Sequence, residues 1–299
     1  PPRSTLFPYT TLFRSLADPV PSFNVVNGGR YGGMTQAFNE FIVMPYGADS
    51  IDEAVEIAVK VFQKLGPVIK AYTKREPEIG RSYGWVAPSE DPDVVLSLIE
   101  EAIDACGYTS KCAFSLDCAS SEMYDAASKT YYLHGRRLTS DELVDYAKDL
   151  TERRNFVFVE DLLDENDWEG YEKAHERLKR TLVIADDFTA TNRERLERAY
   201  ASNSIDGFIL KPNQVGTITE ALEAHEFARE RGLLSIPSGR SGGVVGDVVM
   251  DLAVGLNVSF IKNGCPRSGE RIDKLNFLMR VASLHEGCRM ADISSLVRF

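Results

Sequence analysis

With 299 residues, 43% hydrophobic and 26% charged, the chain can bury a large core, either as one α/β barrel or as two ordinary domains. A formal net charge of −11 argues against a general binder of nucleic acid or anionic membrane, yet permits an anionic substrate wherever focused cations or a metal reverse the local field. Five cysteines (Cys106, Cys112, Cys118, Cys265, Cys288), odd in number and without a CxxC pair, fit a reducing cytosol better than a disulfide framework or zinc site, and no apolar run reaches membrane-spanning length.

Residues 1–15 carry a near-repeat, Ser4-Thr-Leu-Phe7 and Thr10-Thr-Leu-Phe13, without the basic start and apolar centre of a signal peptide. They read as an artefact, translated sequencing-adapter DNA fused to a truncated frame. The native part is then expected to start near Leu16, with the domain over 16–299. Pro21 to Gly29 reads as a strand ending in a Gly-Gly turn, and Phe41 to Pro45 as a second strand with Glu40 just before it. Asp49-Ser50 caps a long amphipathic helix from about Ile51. Arg75 to Pro88 is broken by Pro and Gly into a loop, and Asp91 opens another helix through Cys106.

From there strands and helices alternate. Strands are expected to end at Asp117, Glu160, Asp186, Lys211, Pro237 and Lys262. Helices are expected over Ser140–Arg153, Trp168–Leu178, Asn192–Tyr200, Thr217–Arg231, Val245–Gly255 and Gly269–His285. Lys129 to His134 reads as a small hairpin and Leu296 to Phe299 as a tail. About eight strands at a spacing of about 25–45 residues predict an α/β fold of the TIM-type (β/α)8 barrel kind, with a doubly wound sheet as the runner-up.

The stretch Gly207-Phe-Ile-Leu-Lys-Pro-Asn-Gln-Val-Gly-Thr217 sets the chemistry, because its lysine follows a buried strand. One such lysine reads most simply as reaching solvent. Here Asp117, Glu160, Asp186, Lys211 and Lys262 all end apolar strands, where α/β barrels place their chemistry. Three hard oxygen ligands suit Mg²⁺, and the lack of a strand-end histidine makes zinc a poor fit. The bland alternative is that these acids cap the following helices. A lysine facing a divalent cation would have a lowered pKa, fit to abstract a weakly acidic proton beside a carboxylate. His134, His175, His225 and His285 fall in a hairpin or helices and read as structural or solvent-facing.

Several runs together resemble the carboxyl-terminal barrel of the enolase (phosphopyruvate hydratase) family from Pro19 to the last helix. These are Phe23-Asn-Val-Val-Asn-Gly-Gly29, Val159-Glu-Asp161, Ala185-Asp-Asp-Phe-Thr-Ala-Thr-Asn192, Leu210-Lys-Pro-Asn-Gln-Val-Gly-Thr217, Ser238-Gly-Arg-Ser-Gly242 and Asp251-Leu-Ala-Val-Gly255. A lysine base beside Mg²⁺ is a known enolase-superfamily arrangement. The resemblance implies a ββαα(βα)6 barrel, a Mg²⁺ held by Asp117, Glu160 and Asp186, and Lys211 as the base at C2 of 2-phosphoglycerate. It implies that Lys262 neutralises the substrate carboxylate, that Arg240 and Ser241 bind its phosphate, and that Glu40 stands on the leaving-hydroxyl side. It also implies a cytoplasmic glycolytic homodimer acting on a small phosphorylated anion, with no nucleic-acid or membrane partner. The family's amino-terminal α+β domain, which closes a mobile loop on the substrate, is missing from the chain.

Three departures fall on the acid side. The family's Asp-Glu-Gly-Gly loop is replaced by Gly80-Arg-Ser-Tyr-Gly-Trp-Val-Ala-Pro88, with Tyr83 nearest the glutamate position and Ser82 one residue away. Gly239 replaces the histidine before the phosphate arginine, and Tyr31, beside Arg30, replaces the first-loop histidine. A tyrosine at 83 could serve as acid. An enolase is one reading. A second is a paralogue for a phosphonate or more highly charged acid, such as carboxyphosphonoenolpyruvate formation, with Arg30 and Arg81 as extra cations. A third is a non-catalytic enolase-fold protein kept for binding or assembly.

Overall fold

The computed structural model of the protein describes residues 17–33, 38–285 and 287–299; the stretch 1–15, read above as an artefact, lies outside them. Among the described residues one nine-stranded sheet curls round, and eight of its strands form the continuous path. They are β1 (Val20–Asn27), β2 (Glu40–Met44), β3 (Ala113–Asp117), β4 (Phe156–Glu160), β5 (Leu182–Ala185), β6 (Gly207–Leu210), β7 (Leu234–Pro237) and β8 (Phe260–Lys262). Their spatial order is β7-β6-β5-β4-β3-β2-β1-β8, and a bridge between Ser238 and Lys262 joins the two ends. The sheet therefore curls into a barrel and is not a doubly wound open sheet, which would keep two free edges.

β2 runs antiparallel to both β1 and β3, while the other neighbouring pairs on this path are parallel. Two helices then follow together, α1 (Ile51–Thr73) and α2 (Pro92–Ala105). The rest alternate with strands: α3 (Ser140–Arg153), α4 (Trp168–Arg177), α5 (Arg193–Ala201), α6 (Ile218–Glu230), α7 (Val249–Gly255) and α8 (Gly269–Leu284). Ser50, Asp91, Thr139, Asp167, Asn192 and Thr217 each accept a first-turn N–H through the side chain, which fixes where six of these helices start. α7 starts four residues later than expected, because Gly246 takes the left-handed conformation (φ 76°) and breaks the run.

Within each strand, residues two apart share a face. Phe41, Val43, Phe114, Leu116, Phe208 and Leu210 face outward and join the core beneath the helices. Ile42, Met44, Phe158, Ile184, Ile209, Ile236 and Phe260 form the inner cluster of the barrel. The carboxyl-terminal segment is not a free tail. Leu296, Val297 and Phe299 pack on this inner cluster, Phe299 sits edge-on to Tyr46 (5.5 Å), and Arg298 donates to Asp206 and to the Thr181 carbonyl. The expected loop 75–88 contains a short strand, Trp85–Val86, that pairs with β1. The hairpin has three strands, Tyr124–Asp125, Thr130–Leu133 and Arg136–Leu138.

Gly207, at the start of β6, lies flat against β7, where a Cβ would stand 2.6 Å from the backbone oxygen of Leu234. Backbone in a paired strand cannot retreat. Gly207→Ala is expected to cost about 1–3 kcal/mol by overpacking, read as a lower urea midpoint at unchanged m-value. An unchanged midpoint would contradict the tight β6–β7 packing.

Candidate active site

The period-two pattern carries the inner face upward from apolar to charged residues. Lys211 lies two residues beyond Ile209, Glu160 beyond Phe158, Asp186 beyond Ile184, and Lys262 beyond Phe260. β2 runs the other way, so its first residue, Glu40, reaches the same level and pairs across the sheet with Asp117. All six side chains are buried. They are the last layer of the barrel, at the carboxyl ends of the parallel strands. Except for Glu160, all of them line a cavity of about 210 Å³ that also includes Tyr31, Asn39, Ser82, Asp187, Arg240 and Ser241.

Lys262 is the hub. Its Nζ donates to Asp117 Oδ2 (2.8 Å) and Glu160 Oε1 (2.8 Å) and lies 3.3 Å from Glu40 Oε2. It also stands 2.8 Å from Glu160 Oε2, but without hydrogen-bond geometry, so that oxygen is a buried acceptor with no hydrogen bond. Lys211 pairs with Asp186, whose other oxygen accepts from Gln214 Nε2 (3.0 Å). Burial and then the neighbouring carboxylates push Glu160 well above the usual carboxylate range. Asp117 is raised by burial and by Glu40, against the pull of Lys262. Asp186 is also buried, yet Lys211 and Lys262 outweigh that cost and hold it low. Both lysines are raised, since the facing acids overcome desolvation. The lowered lysine pKa values expected from the sequence presuppose a cation sharing these carboxylates, and the side chains alone do not produce them.

The donor set suits a hard divalent cation by its chemistry: Asp117, Glu160 and Asp186 put carboxylates at the ends of β3, β4 and β5, and Glu160 keeps an unbonded buried oxygen. Among the described residues, the acids that bring one oxygen each within 4.8 Å of the others are a different trio, Asp161, Asp186 and Asp187. Asp161 is a brace, however. Its two oxygens accept the backbone N–H of Asp186 (2.8 Å) and Asp187 (2.7 Å), and so set the turn that aims Asp186. Left-handed backbone at Ala119 (φ 44°), Asp161 (45°), Ala190 (49°) and Thr191 (57°) follows directly behind these strand ends. Such strain gathers where a surrounding frame overrides local preference.

On the acid side, Glu40 Oε1 accepts from Asn24 Nδ2 (2.8 Å) and from Ser82 Oγ (3.0 Å). Asn27 bonds Asn24 and accepts the N–H of Ser82 and Gly84, and a Cβ at Gly80 or Gly84 would crowd its amide. The structure thus brings Ser82 into the site. Tyr83 is not among the lining residues: its backbone is left-handed (φ 67°) and its half-buried side chain packs on the outer core. Tyr31 does line the cavity, and burial followed by the charges of Glu40 and Asp117 holds its hydroxyl above the ordinary value. Arg30 lines the rim and pairs with Glu122 (2.9 Å). Arg81 lines a neighbouring groove instead, and its carbonyl accepts from Ser241 Oγ (3.1 Å). The four histidines stay outside the cavity; His175 bonds Asp206 and His225 bonds Ser235. The sequence reading missed Asn24, Asn27 and Asp161 as supports, although each lies within a run that carried the family resemblance.

Asp161→Ala would strand one buried and one partly buried backbone donor. It is expected to cost about 1–3 kcal/mol, read as a lower urea midpoint. An unchanged midpoint would contradict the bracing role.

A family model described as "Enolase, C-terminal TIM barrel domain" matches residues 15–293. The chain is 37% identical over 277 residues to an enolase of Methanococcus vannielii, covering 92% of this chain and 65% of that protein. It is 36% identical over 264 residues to an enolase of Sulfolobus acidocaldarius, covering 88% and 63%. A Methanocaldococcus jannaschii enolase gives 37% over 277 residues, covering 92% and 65%. The chain therefore spans less than two thirds of the length of these relatives. With the barrel, its charged inner layer and these matches together, the chain belongs to the enolase family through that family's C-terminal TIM barrel domain.

Proposed function

We propose that the protein is a Mg²⁺-dependent carbon–oxygen lyase that dehydrates 2-phosphoglycerate to phosphoenolpyruvate. The observation that carries this reading is the meeting of Lys211, Lys262, Asp117, Asp186 and the Arg240–Ser241 pair on one cavity, with Glu160 directly behind. Arg240 and Ser241 bind the phosphate, Arg240 through its planar fork. Lys262, already the partner of three carboxylates, stays charged and holds the substrate carboxylate. Lys211 leaves Asp186 and, as the free amine, takes the C2 proton. A Mg²⁺ held by Asp117, Glu160 and Asp186 would supply Lewis-acid stabilisation of the charge that develops on that carboxylate.

The electron pair left at C2 forms the C2–C3 double bond as hydroxide departs from C3. Glu40, entering the step in its protonated form and oriented by Asn24 and Ser82, delivers the proton that turns the hydroxide into water, and Tyr31 lines the same cavity. Tyr31 takes the place that the sequence reading gave to Tyr83. Family analogy supports a cytoplasmic, glycolytic homodimer with no nucleic-acid or membrane partner. Among the described residues no helix is long and apolar enough to cross a membrane. A second reading, a paralogue for a more highly charged acid, is favoured by Arg30 at the rim and by the glycine at 239.

With Mg²⁺ and 2-phosphoglycerate in D₂O, NMR should show deuterium entering at C2 and phosphoenolpyruvate forming. Lys211→Ala should reduce both by at least about 10²–10⁴. Glu40→Gln should slow elimination by about 10²–10⁴ while C2 exchange persists. Full exchange in Lys211→Ala would exclude it as the base, and equal loss of both signals in Glu40→Gln would remove it from the acid step.

A further inference from the structure

The cavity wall contains a cation that the proposed reaction does not use. Arg271, on the first turn of α8, is 3% exposed and lines the cavity beside Gly239, Arg240 and Lys262. Two glycines make room for it. A Cβ at Gly264, which has φ 81°, would lie 1.8 Å from Arg271 Nη1, and a Cβ at Gly239 would lie 3.3 Å from the same atom. Gly264 lets the guanidinium enter between the ends of β7 and β8, and Gly239 leaves its Nη1 edge uncovered on the cavity side.

The guanidinium is also incompletely compensated. Nη1 carries two protons, and one goes to the Asn263 carbonyl (2.6 Å). The nearest carboxylate, Glu270, stands 3.8 Å from Nε, beyond hydrogen-bond reach, and neither Nε nor that Glu270 oxygen has a hydrogen-bond partner. Lys274 is a contrast. Its Cε also approaches the Gly239 position (3.3 Å), but its Nζ is committed to Asp247 (2.6 Å) and the Glu270 carbonyl. A buried cation without a full hydrogen-bonded counter-charge gains most from an anion placed beside it.

We propose that Gly239 and Arg271 form a second anion subsite. It adds to the Arg240–Ser241 contact and selects a phosphorylated or phosphonylated carboxylic acid bearing one further carboxylate or phosphonate. This rests on the enolase-type reading of the same cavity and names the substrate class that it prefers.

The test compares two probes by calorimetry in Mg²⁺: 2-phosphoglycerate, and O-phosphotartrate, which is 2-phosphoglycerate with a carboxylate on C3. The unaltered protein should bind O-phosphotartrate about tenfold more tightly, the scale of one charge-assisted contact. Arg271→Gln should abolish that preference by weakening O-phosphotartrate about tenfold more than 2-phosphoglycerate. Gly239→Ala, which keeps the guanidinium and screens it, should act in the same direction at unchanged Tm and so supports the subsite even if Arg271→Gln fails to fold. Equal affinity of the unaltered protein for both probes, or equal weakening of both by Gly239→Ala, would overturn the subsite alone. Failure of both probes to bind the unaltered protein would overturn the enolase-type reading and the subsite with it.

Discussion

Four carboxylates, Glu40, Asp117, Glu160 and Asp186, share one buried layer with two ammonium groups, Lys211 and Lys262. Burying a charge costs several kcal/mol unless partners compensate it, and this layer holds more acids than lysines. Burial first, and then the neighbouring acids, hold Asp117 and Glu160 above the usual carboxylate range, and Oε2 of Glu160 stays without a hydrogen bond. Hydrophobic residues would fill the same space more cheaply. A barrel that keeps this layer holds a site able to take up positive charge, and the rest of the fold serves to hold it in place.

The frame does so through strand direction. In the parallel strands the inner face alternates upward from Phe158, Ile184, Ile209 and Phe260 to a charged last residue. β2, reversed, brings Glu40 to that level at its first residue, opposite Asp117. Behind the strand ends, left-handed turns at Ala119, Asp161 and Ala190–Thr191 bend the chain sharply, and the Asp161 carboxylate ties down the turn that carries Asp186. Rigid strands place the charged groups, and short strained loops keep them aimed.

Much of this was legible in the sequence because it follows local rules. Strand ends at Asp117, Glu160 and Lys262 are marked by apolar runs that stop at a charge, and helix starts by Ser50, Asp91, Thr139 and Thr217. The acid-side loop was less legible, because a loop has no periodicity to say which side chain points inward. The left-handed turn at Tyr83 sends Ser82 to Glu40, and no pattern of residue types announces it. Arg271 gave no signal either, since its place depends on two glycines from other strand ends. The last four residues read as a tail because docking against the inner cluster is a long-range contact.

In the proposed function, the buried excess of carboxylates over lysines serves as a divalent-cation site built from Asp117, Glu160 and Asp186. Calorimetric titration of Mg²⁺ into the protein and into its Glu160→Gln variant tests it most directly. Saturable binding at one dominant site is expected, weakened at least about tenfold in the variant. Absence of saturable binding, or equal affinity in both proteins, would contradict it.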